Sequence, residues 1–183
     1  AAVGHPDHRA SGAAWLARFG LNAESRDIVV TNGCQGGLSV TLGGLTSPGD
    51  TILVETLAWP GTHAIAQQRG LRVVSLPMDE EGIEPDALRE AARRHQARAA
   101  VCMPNLQNPT NCSMSEARRR ALLDAAADAG VILVEDDIYG FLPETPATPL
   151  AGLSPEYAVY ITSLSKCVAP RSEERRVGKE CIV

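Results

Sequence analysis

Short apolar runs alternate with longer amphipathic stretches along most of the chain. The apolar runs predict buried strands at 28–30, 52–54, 73–76, 99–102, 131–134 and 158–161. Apolar spacing and start and stop residues predict helices at 12–19, ended by Gly20, and at 35–45, 62–69, 85–95 and 115–130. Strands that are apolar throughout and separated by amphipathic helices indicate a sheet covered on both faces. The sequence therefore predicts an α/β fold with a doubly wound, mainly parallel sheet.

Parallel sheets of this kind bind ligands at the carboxyl ends of their strands, so the residues that follow each predicted strand are the candidates for chemistry. The first predicted strand leads into Gly33, Cys34 and Gln35, within the glycine-rich sequence TNGCQGG that opens a helix. Free backbone N–H groups and the helix dipole favour a phosphate at such a helix start. The sequence matches neither the GxGxxG fingerprint nor a P-loop, and a plain strand-to-helix turn is the alternative.

The second and fourth predicted strands are followed by an aromatic ring and by amides. Trp59, in the sequence Trp-Pro-Gly, lies in a rigid loop that can place its indole over a flat ring. A tryptophan of the core or its rim is the alternative. Asn108 lies in the turn sequence PNLQNPTN, which supplies several amide groups.

The fifth and sixth predicted strands are followed by charged side chains. Glu135, Asp136 and Asp137 stand beside a buried edge, and Tyr139 follows them. Three adjacent carboxylates suit Mg²⁺ or Ca²⁺, but no further oxygen ligands are spaced for a dedicated site, so no metal is expected. Lys166 closes the sequence SLSK after the last strand. A lysine shielded from water there is a nucleophile able to form a Schiff base, and a solvated surface lysine is the alternative.

The groups gathered at the strand ends suit one kind of ligand. They offer a phosphate cradle, an aromatic platform, an amide, a carboxylate three residues before a tyrosine, and a nucleophilic lysine flanked by hydroxyls. A planar, phosphorylated pyridine aldehyde needs this set, because a carboxylate must keep its ring nitrogen protonated for the ring to act as an electron sink.

The composition of the chain limits the kinds of partner that it is expected to bind. The chain has 183 residues, 44% hydrophobic and 21% charged, which suits one soluble domain. A net charge of −5, without basic clusters among aromatics, argues against direct contact with nucleic acid. No apolar run reaches membrane length and no leader segment opens the chain, so a cytoplasmic protein is expected. Five cysteines without a CxxC pair suggest neither a disulfide framework nor a zinc site.

In this order the motifs resemble those of the fold-type I pyridoxal-phosphate enzymes of the class I/II aminotransferase family, and especially the branch with MocR-type, GntR-related proteins. The resemblance runs from Gly4 to Pro170. It implies that pyridoxal 5'-phosphate is the cofactor and that an amino acid and a 2-oxo acid are the substrates. It also implies a homodimer with the active site at the subunit interface.

The family's residue roles carry over onto the matching positions. The resemblance implies that Gly33, Cys34, Gln35 and Ser163 hold the phosphate, while Trp59 stacks on the pyridine ring.

The polar ring contacts and the reacting amine carry over in the same way. Asn108 lies in QNPT, where the family has NPTG. Asn108 and Tyr139 would contact the phenolic oxygen of the ring, and Asp136 would pair with the ring nitrogen. Lys166 would be the Schiff-base lysine, and its freed amine would act as general acid and base on the α-proton.

Two positions depart from the family pattern. Asn111 stands where glycine follows NPT in the family, and Glu173 stands where an arginine would bind the phosphate. Residues 171–181 resemble a translated sequencing adapter. We therefore expect residues 1–170 to be part of an aminotransferase large domain, truncated at both ends and inactive alone, and residues 171–183 to be a non-native tail.

Three other functions remain open at the level of sequence. The same fold serves as an effector-sensing domain behind a DNA-binding helix-turn-helix in MocR-type regulators, and a basic winged helix upstream would favour that reading. A lyase or another pyridoxal-phosphate enzyme would use the same cofactor but catalyse a different reaction at the α-carbon of the substrate. A doubly wound domain without a cofactor is the last alternative.

Overall fold

The computed structural model describes residues 3–168, and the predicted tail at 171–183, with Glu173, lies outside them. A five-stranded parallel sheet forms the centre. Its strands are β1 (Thr51–Glu55), β2 (Arg72–Leu76), β5 (Ala99–Cys102), β6 (Ile132–Asp136) and β7 (Ala158–Ile161). They lie in the order β2-β1-β5-β6-β7. A short antiparallel hairpin pairs β3 (Met78–Asp79) with β4 (Gly82–Ile83). The predicted α/β fold with a mainly parallel sheet is confirmed.

Helices cover both faces of this sheet, because successive strand residues point to opposite sides. The helices are α1 (Pro6–Ala17), α2 (Gly33–Leu45), α3 (Pro60–Gln68), α4 (Pro85–His95), α5 (Glu116–Ala129) and α6 (Leu150–Leu153). On β1, Leu53 packs into one core cluster with residues of α4 and α5, whereas Ile52 and Val54 pack into a second with residues of α2 and α3.

The helix ends follow from local chemistry. Ser115 caps α5 by accepting the Arg118 N–H at 3.2 Å, and Gly130 ends the helix in the left-handed conformation at φ 68°. Pro60 occupies the first turn of α3, so this helix begins at Pro60 and not at the predicted Thr62. The helix predicted at 12–19 begins earlier, at Pro6, where the His5 side chain accepts the Asp7 N–H at 3.3 Å.

The strand predicted at 28–30 is absent from the described sheet, so that prediction is wrong. Val29 is 50% exposed, and the backbone finds partners outside the sheet. The Val30 N–H donates to the Val3 carbonyl at 3.1 Å, and Arg9 Nε donates to the Ile28 carbonyl at 2.9 Å. Three β-branched or apolar residues thus form an extended segment, which leads into α2 from outside the sheet.

Candidate functional site

The carboxyl ends of four neighbouring strands lie at one edge of the sheet. The register pairs Val54 with Val101, Val101 with Val134, and Val134 with Val159, so one row crosses β1, β5, β6 and β7 just before they end. The segments leaving that edge contain most of the residues singled out in the sequence: Trp59, Asn108, Asp136, Tyr139, Ser163 and Lys166. Strand topology therefore brings residues more than 100 positions apart to the same edge of the sheet.

Asp136 is the last residue of β6 and is buried at this edge, with 7% of its surface exposed. Burial raises the pKa of its carboxyl group to about 6; a hydrogen bond with the Cys34 side chain opposes that rise, and the nearby Asp137 adds to it. Within residues 3–168 the buried oxygen Oδ1 has no hydrogen-bond partner. A buried acceptor without a donor is costly, so this oxygen is suited to a donor on a ligand.

The start of α2 lies close to Asp136. Gly33 opens the helix at φ 71°, and the Thr31 hydroxyl donates to its carbonyl at 3.0 Å. A Cβ on Gly37 would stand 3.1 Å from Cγ2 of Ile161, so the lack of a side chain lets the helix approach β7 closely. The Cys34 side chain in the first turn lies near enough to Asp136 to lower the pKa of that carboxyl group against the effect of burial. The start of α2, where the Gly33 N–H donates to the Thr31 carbonyl at 3.0 Å, thus lies beside a buried carboxylate.

Trp59 and Asn108 occupy the loops after β1 and β5, and both are half-buried. The indole of Trp59 packs over Gly61, where its Cη2 atom fills the space that a Cβ would take. Asn108 lies in a turn with a cis peptide bond to Pro109. The Trp59 side chain is therefore held by a neighbouring residue of its own loop.

The remaining candidates follow β6 and β7. Tyr139 is half-buried in the turn after β6. The Ser163 hydroxyl lies 2.8 Å from the Ser165 hydroxyl and accepts the Ser165 N–H at 3.1 Å. Lys166 is exposed, contrary to the expectation of a lysine shielded from water, because it lies in a turn beyond the end of β7.

A buried polar network under this edge was not predicted from the sequence. Arg119 on α5 is fully buried and donates to the Pro104 carbonyl at 3.1 Å, to Asn105 Oδ1 at 2.6 Å and to Glu135 Oε1 at 3.4 Å. Burial raises the pKa of Glu135, while the Arg119 guanidinium opposes that rise. The second oxygen of Glu135 accepts the Leu150 N–H at 2.7 Å.

Asp137 extends the network to β7. Its Oδ2 accepts from Asn105 Nδ2 at 3.0 Å and from the Tyr160 hydroxyl at 2.8 Å. Burial raises the pKa of Asp137. The three consecutive carboxylates therefore have separate environments: Glu135 faces Arg119, Asp136 faces Cys34, and Asp137 faces Asn105 and Tyr160. No group of three or more possible metal ligands is gathered in residues 3–168.

Residues 2–169 match the sequence model of the protein family described as aminotransferase class I and II. The chain belongs to this family. The resemblance inferred from the motifs is thus confirmed. Relatives include both regulators and enzymes, among them the uncharacterized HTH-type transcriptional regulator YdeF of Bacillus subtilis. YdeF is 29% identical over 155 residues, which cover 85% of this chain and 34% of YdeF.

Enzymes of the family are equally similar. The mitochondrial kynurenine/alpha-aminoadipate aminotransferase of Mus musculus is 31% identical over 132 residues, which cover 66% of this chain and 31% of the mouse protein. The crystal structure of Pyrococcus horikoshii kynurenine aminotransferase, in complex with PMP, superposes with a TM-score of 0.81 and 29% identity over 92% of this chain and 44% of that one. The chain thus spans about a third of the length of these curated relatives.

Proposed function

We propose that the full-length protein is a pyridoxal-phosphate-dependent aminotransferase that moves an amino group between an amino acid and a 2-oxo acid. The observation that carries the proposal is the buried Asp136 carboxylate, whose Oδ1 lacks a partner among the described residues, beside the start of α2. A ring nitrogen that carries a proton would complete this carboxylate, and a phosphate would suit the helix start. The Asp136 carboxylate and the start of α2 therefore fit the ring nitrogen and the phosphate of the cofactor.

The bound cofactor supplies an electron sink for the α-carbon of the amino acid. Asp136 would hold a proton on the ring nitrogen, and Gly33, Cys34, Gln35 and Ser163 would bind the phosphate. These residues hold and orient the cofactor at the sheet edge.

The other ring contacts and the proton transfer fall to four residues. Trp59 would cover one face of the ring, and Asn108 and Tyr139 would donate to its phenolic oxygen. The Lys166 amine would be the attachment point, and once free it would move the α-proton.

The test is an absorbance spectrum of the full-length protein with pyridoxal phosphate, before and after borohydride reduction. Lys166 is the only lysine in residues 1–170, so labelling there is unambiguous within this stretch. We expect a visible band that reduction removes while fixing the cofactor to Lys166, and no such band in Lys166→Ala. A peptide map that places the cofactor on another lysine would contradict the proposal.

A sensor domain is the second candidate, and the similarity to YdeF favours it. A sensor and an enzyme share the cofactor attachment, so spectra do not separate them. Product analysis with amino acids and 2-oxo acids separates them. Transamination supports the aminotransferase, and an eliminated product supports a lyase. Sequence-specific DNA binding without turnover, measured separately, supports the regulator.

We also propose that the full-length protein is a cytoplasmic homodimer and that the 183-residue chain alone is inactive. The inactivity is supported by the length of the relatives, of which this chain spans about a third. In residues 3–168 no helix is long and apolar enough to cross a membrane. Measurable transamination by the isolated chain would overturn the second statement.

A further inference from the structure

Glu55 ends β1 and is buried, with 2% of its surface exposed. Its Oε1 accepts the Met103 N–H at 3.0 Å, and its Oε2 accepts from Gln107 Nε2 at 3.0 Å. Met103 follows the end of β5, so one carboxylate joins the exits of two neighbouring strands. None of the roles assigned above uses Glu55 or Gln107.

Gln107 is fully buried, and its side-chain amide makes every hydrogen bond available to it. Besides Glu55, Nε2 reaches the Leu57 carbonyl at 2.8 Å. Its Oε1 accepts the Thr110 N–H at 3.0 Å and the Thr110 hydroxyl at 2.7 Å. Two donors on one side and two acceptors on the other fix the orientation of the amide.

These partners belong to the two loops that carry ring contacts. Leu57 lies two residues before Trp59, and Thr110 lies two residues after Asn108. We propose that Glu55 and Gln107 form a clamp that sets the positions of Trp59 and Asn108 relative to each other, and that both are positioning residues for the cofactor ring. This inference rests on the proposed function for the ring, whereas the coupling of the two loops stands on the hydrogen bonds alone.

A neutral amide suits this position better than a cation. Both oxygens of Glu55 face N–H groups, and the partner must present acceptors to Thr110 at its other end, which lysine and arginine lack. Leucine in place of Gln107 would keep the volume and leave Glu55 and the Leu57 carbonyl without this donor. Buried groups that lose a partner carry the full cost of desolvation, so the loops would separate.

The test combines hydrogen exchange, followed by mass spectrometry, with cofactor affinity in the full-length protein. Gln107→Leu removes all four side-chain bonds. Gln107→Glu keeps the acceptors for Thr110, loses the amide donor to the Leu57 carbonyl, and places a second carboxyl group against Glu55, with which it can share a proton. Gln67→Leu, at an exposed position on α3, is the matched control. Exchange is measured without cofactor over residues 56–59, 105–112 and, as a core reference, 132–136.

We expect Gln107→Leu to speed exchange in both loops and to raise the Kd for pyridoxal phosphate by about tenfold or more, with the core reference unchanged. Gln107→Glu should loosen residues 56–59 while Thr110 keeps its protection. If Gln107→Leu does not fold, this second variant decides the matter. Neither change is expected in Gln67→Leu.

The outcomes separate the clamp from the function. Unchanged exchange in both loops of the Gln107 variants overturns the clamp. Faster exchange together with a Kd for pyridoxal phosphate equal to that of the control overturns the positioning role. Glu55 and Gln107 would then only hold the two loops together. If the unaltered protein binds no pyridoxal phosphate, the proposed function fails, and exchange still decides whether Glu55 and Gln107 couple the loops.

Discussion

The carboxyl group of Asp136 shows how the site is built at the scale of single residues. Both oxygens of Glu135 accept hydrogen bonds, whereas Oδ1 of Asp136 has no partner within residues 3–168. Oδ1 of Asp137 also lacks one, although its Oδ2 accepts from Asn105 and Tyr160. The fold therefore keeps a carboxylate buried without full satisfaction, which costs stability in the absence of a ligand. Such a cost is typical of a site that gains its missing partner on binding.

That cost predicts an unusual dependence of stability on pH. The pKa of Asp136 is about 6 in the folded chain and 3.8 as its ordinary value. Between these values the folded state binds more protons than the unfolded state, so the free energy of unfolding falls as pH rises. The contribution lost by pH 8 is about 3 kcal/mol at 1.36 kcal/mol per pKa unit.

We therefore expect the stability of Asp136→Asn relative to the unaltered protein to increase by about 2–3 kcal/mol as the pH rises from 4 to 8, in the cofactor-free full-length protein. Urea unfolding at the two pH values measures the difference. Burial also raises the pKa of Glu55, to about 7, but that group is common to both proteins and largely cancels. Parallel pH profiles for the two proteins would contradict the prediction.

At the scale of elements, α5 carries the largest unforeseen feature. Arg119 stands in the run Arg118-Arg119-Arg120, which reads as a solvated charged face. Helical spacing gives the missed signal, because Leu122, Leu123 and Ala126 lie three, four and seven positions later, and all are buried with Arg119. The middle arginine therefore occupies the apolar face, where it binds the turn before Asn108 to the end of β6.

Replacing Arg119 by methionine is expected to lower the free energy of unfolding by about 3–5 kcal/mol, because Glu135 Oε1, the Pro104 carbonyl and Asn105 Oδ1 all lose their buried cationic donor. Arg120→Met is the matched control. Arg120 is exposed and pairs with Glu116 one helical turn away, so its loss should cost no more than about 0.5 kcal/mol. Adding Glu135→Gln to Arg119→Met should recover part of the loss. Equal effects of the two single substitutions in denaturant unfolding would refute the buried pair.

Which elements the sequence could predict depends on how local their cause is. Pro85 and His95 bound α4 as expected, because the start signal of proline and the amphipathic spacing lie within the segment itself. The strand predicted at 28–30 was wrong, because backbone groups of this segment form hydrogen bonds with Val3 and Arg9 instead of a neighbouring strand. Partners of this kind are invisible in a local window.

The same distinction applies to the site. Candidates such as Asp136 follow predicted strands, and the topology of a parallel sheet was enough to place them at one edge. The Glu55 to Gln107 hydrogen bond spans 52 positions, and nothing in either local sequence indicates the other. A glutamate that closes an apolar strand, as in ILVE, was the available signal for Glu55, because a buried carboxylate needs donors.

At the scale of the whole molecule, the described sheet has two edges. β2 pairs only with β1 and β7 only with β6 among the described residues, so each presents unpaired N–H and C=O groups on one side. β7 contains Ala158, Val159, Tyr160 and Ile161, without a charge or a proline that would discourage pairing with another chain. Strands of this kind associate unless further structure covers them.

The isolated 183-residue polypeptide is therefore expected to self-associate, whereas the full-length protein should give one defined species. Light scattering coupled to size-exclusion chromatography measures both over a range of concentrations. A polypeptide of residues 1–170 serves as the control for the charged tail, and it should associate equally if the sheet edge is responsible. Val159→Lys should reduce the association, because a lysine on an edge strand must be desolvated to pair. A monodisperse isolated chain that melts cooperatively would show that the edge is already covered within these residues.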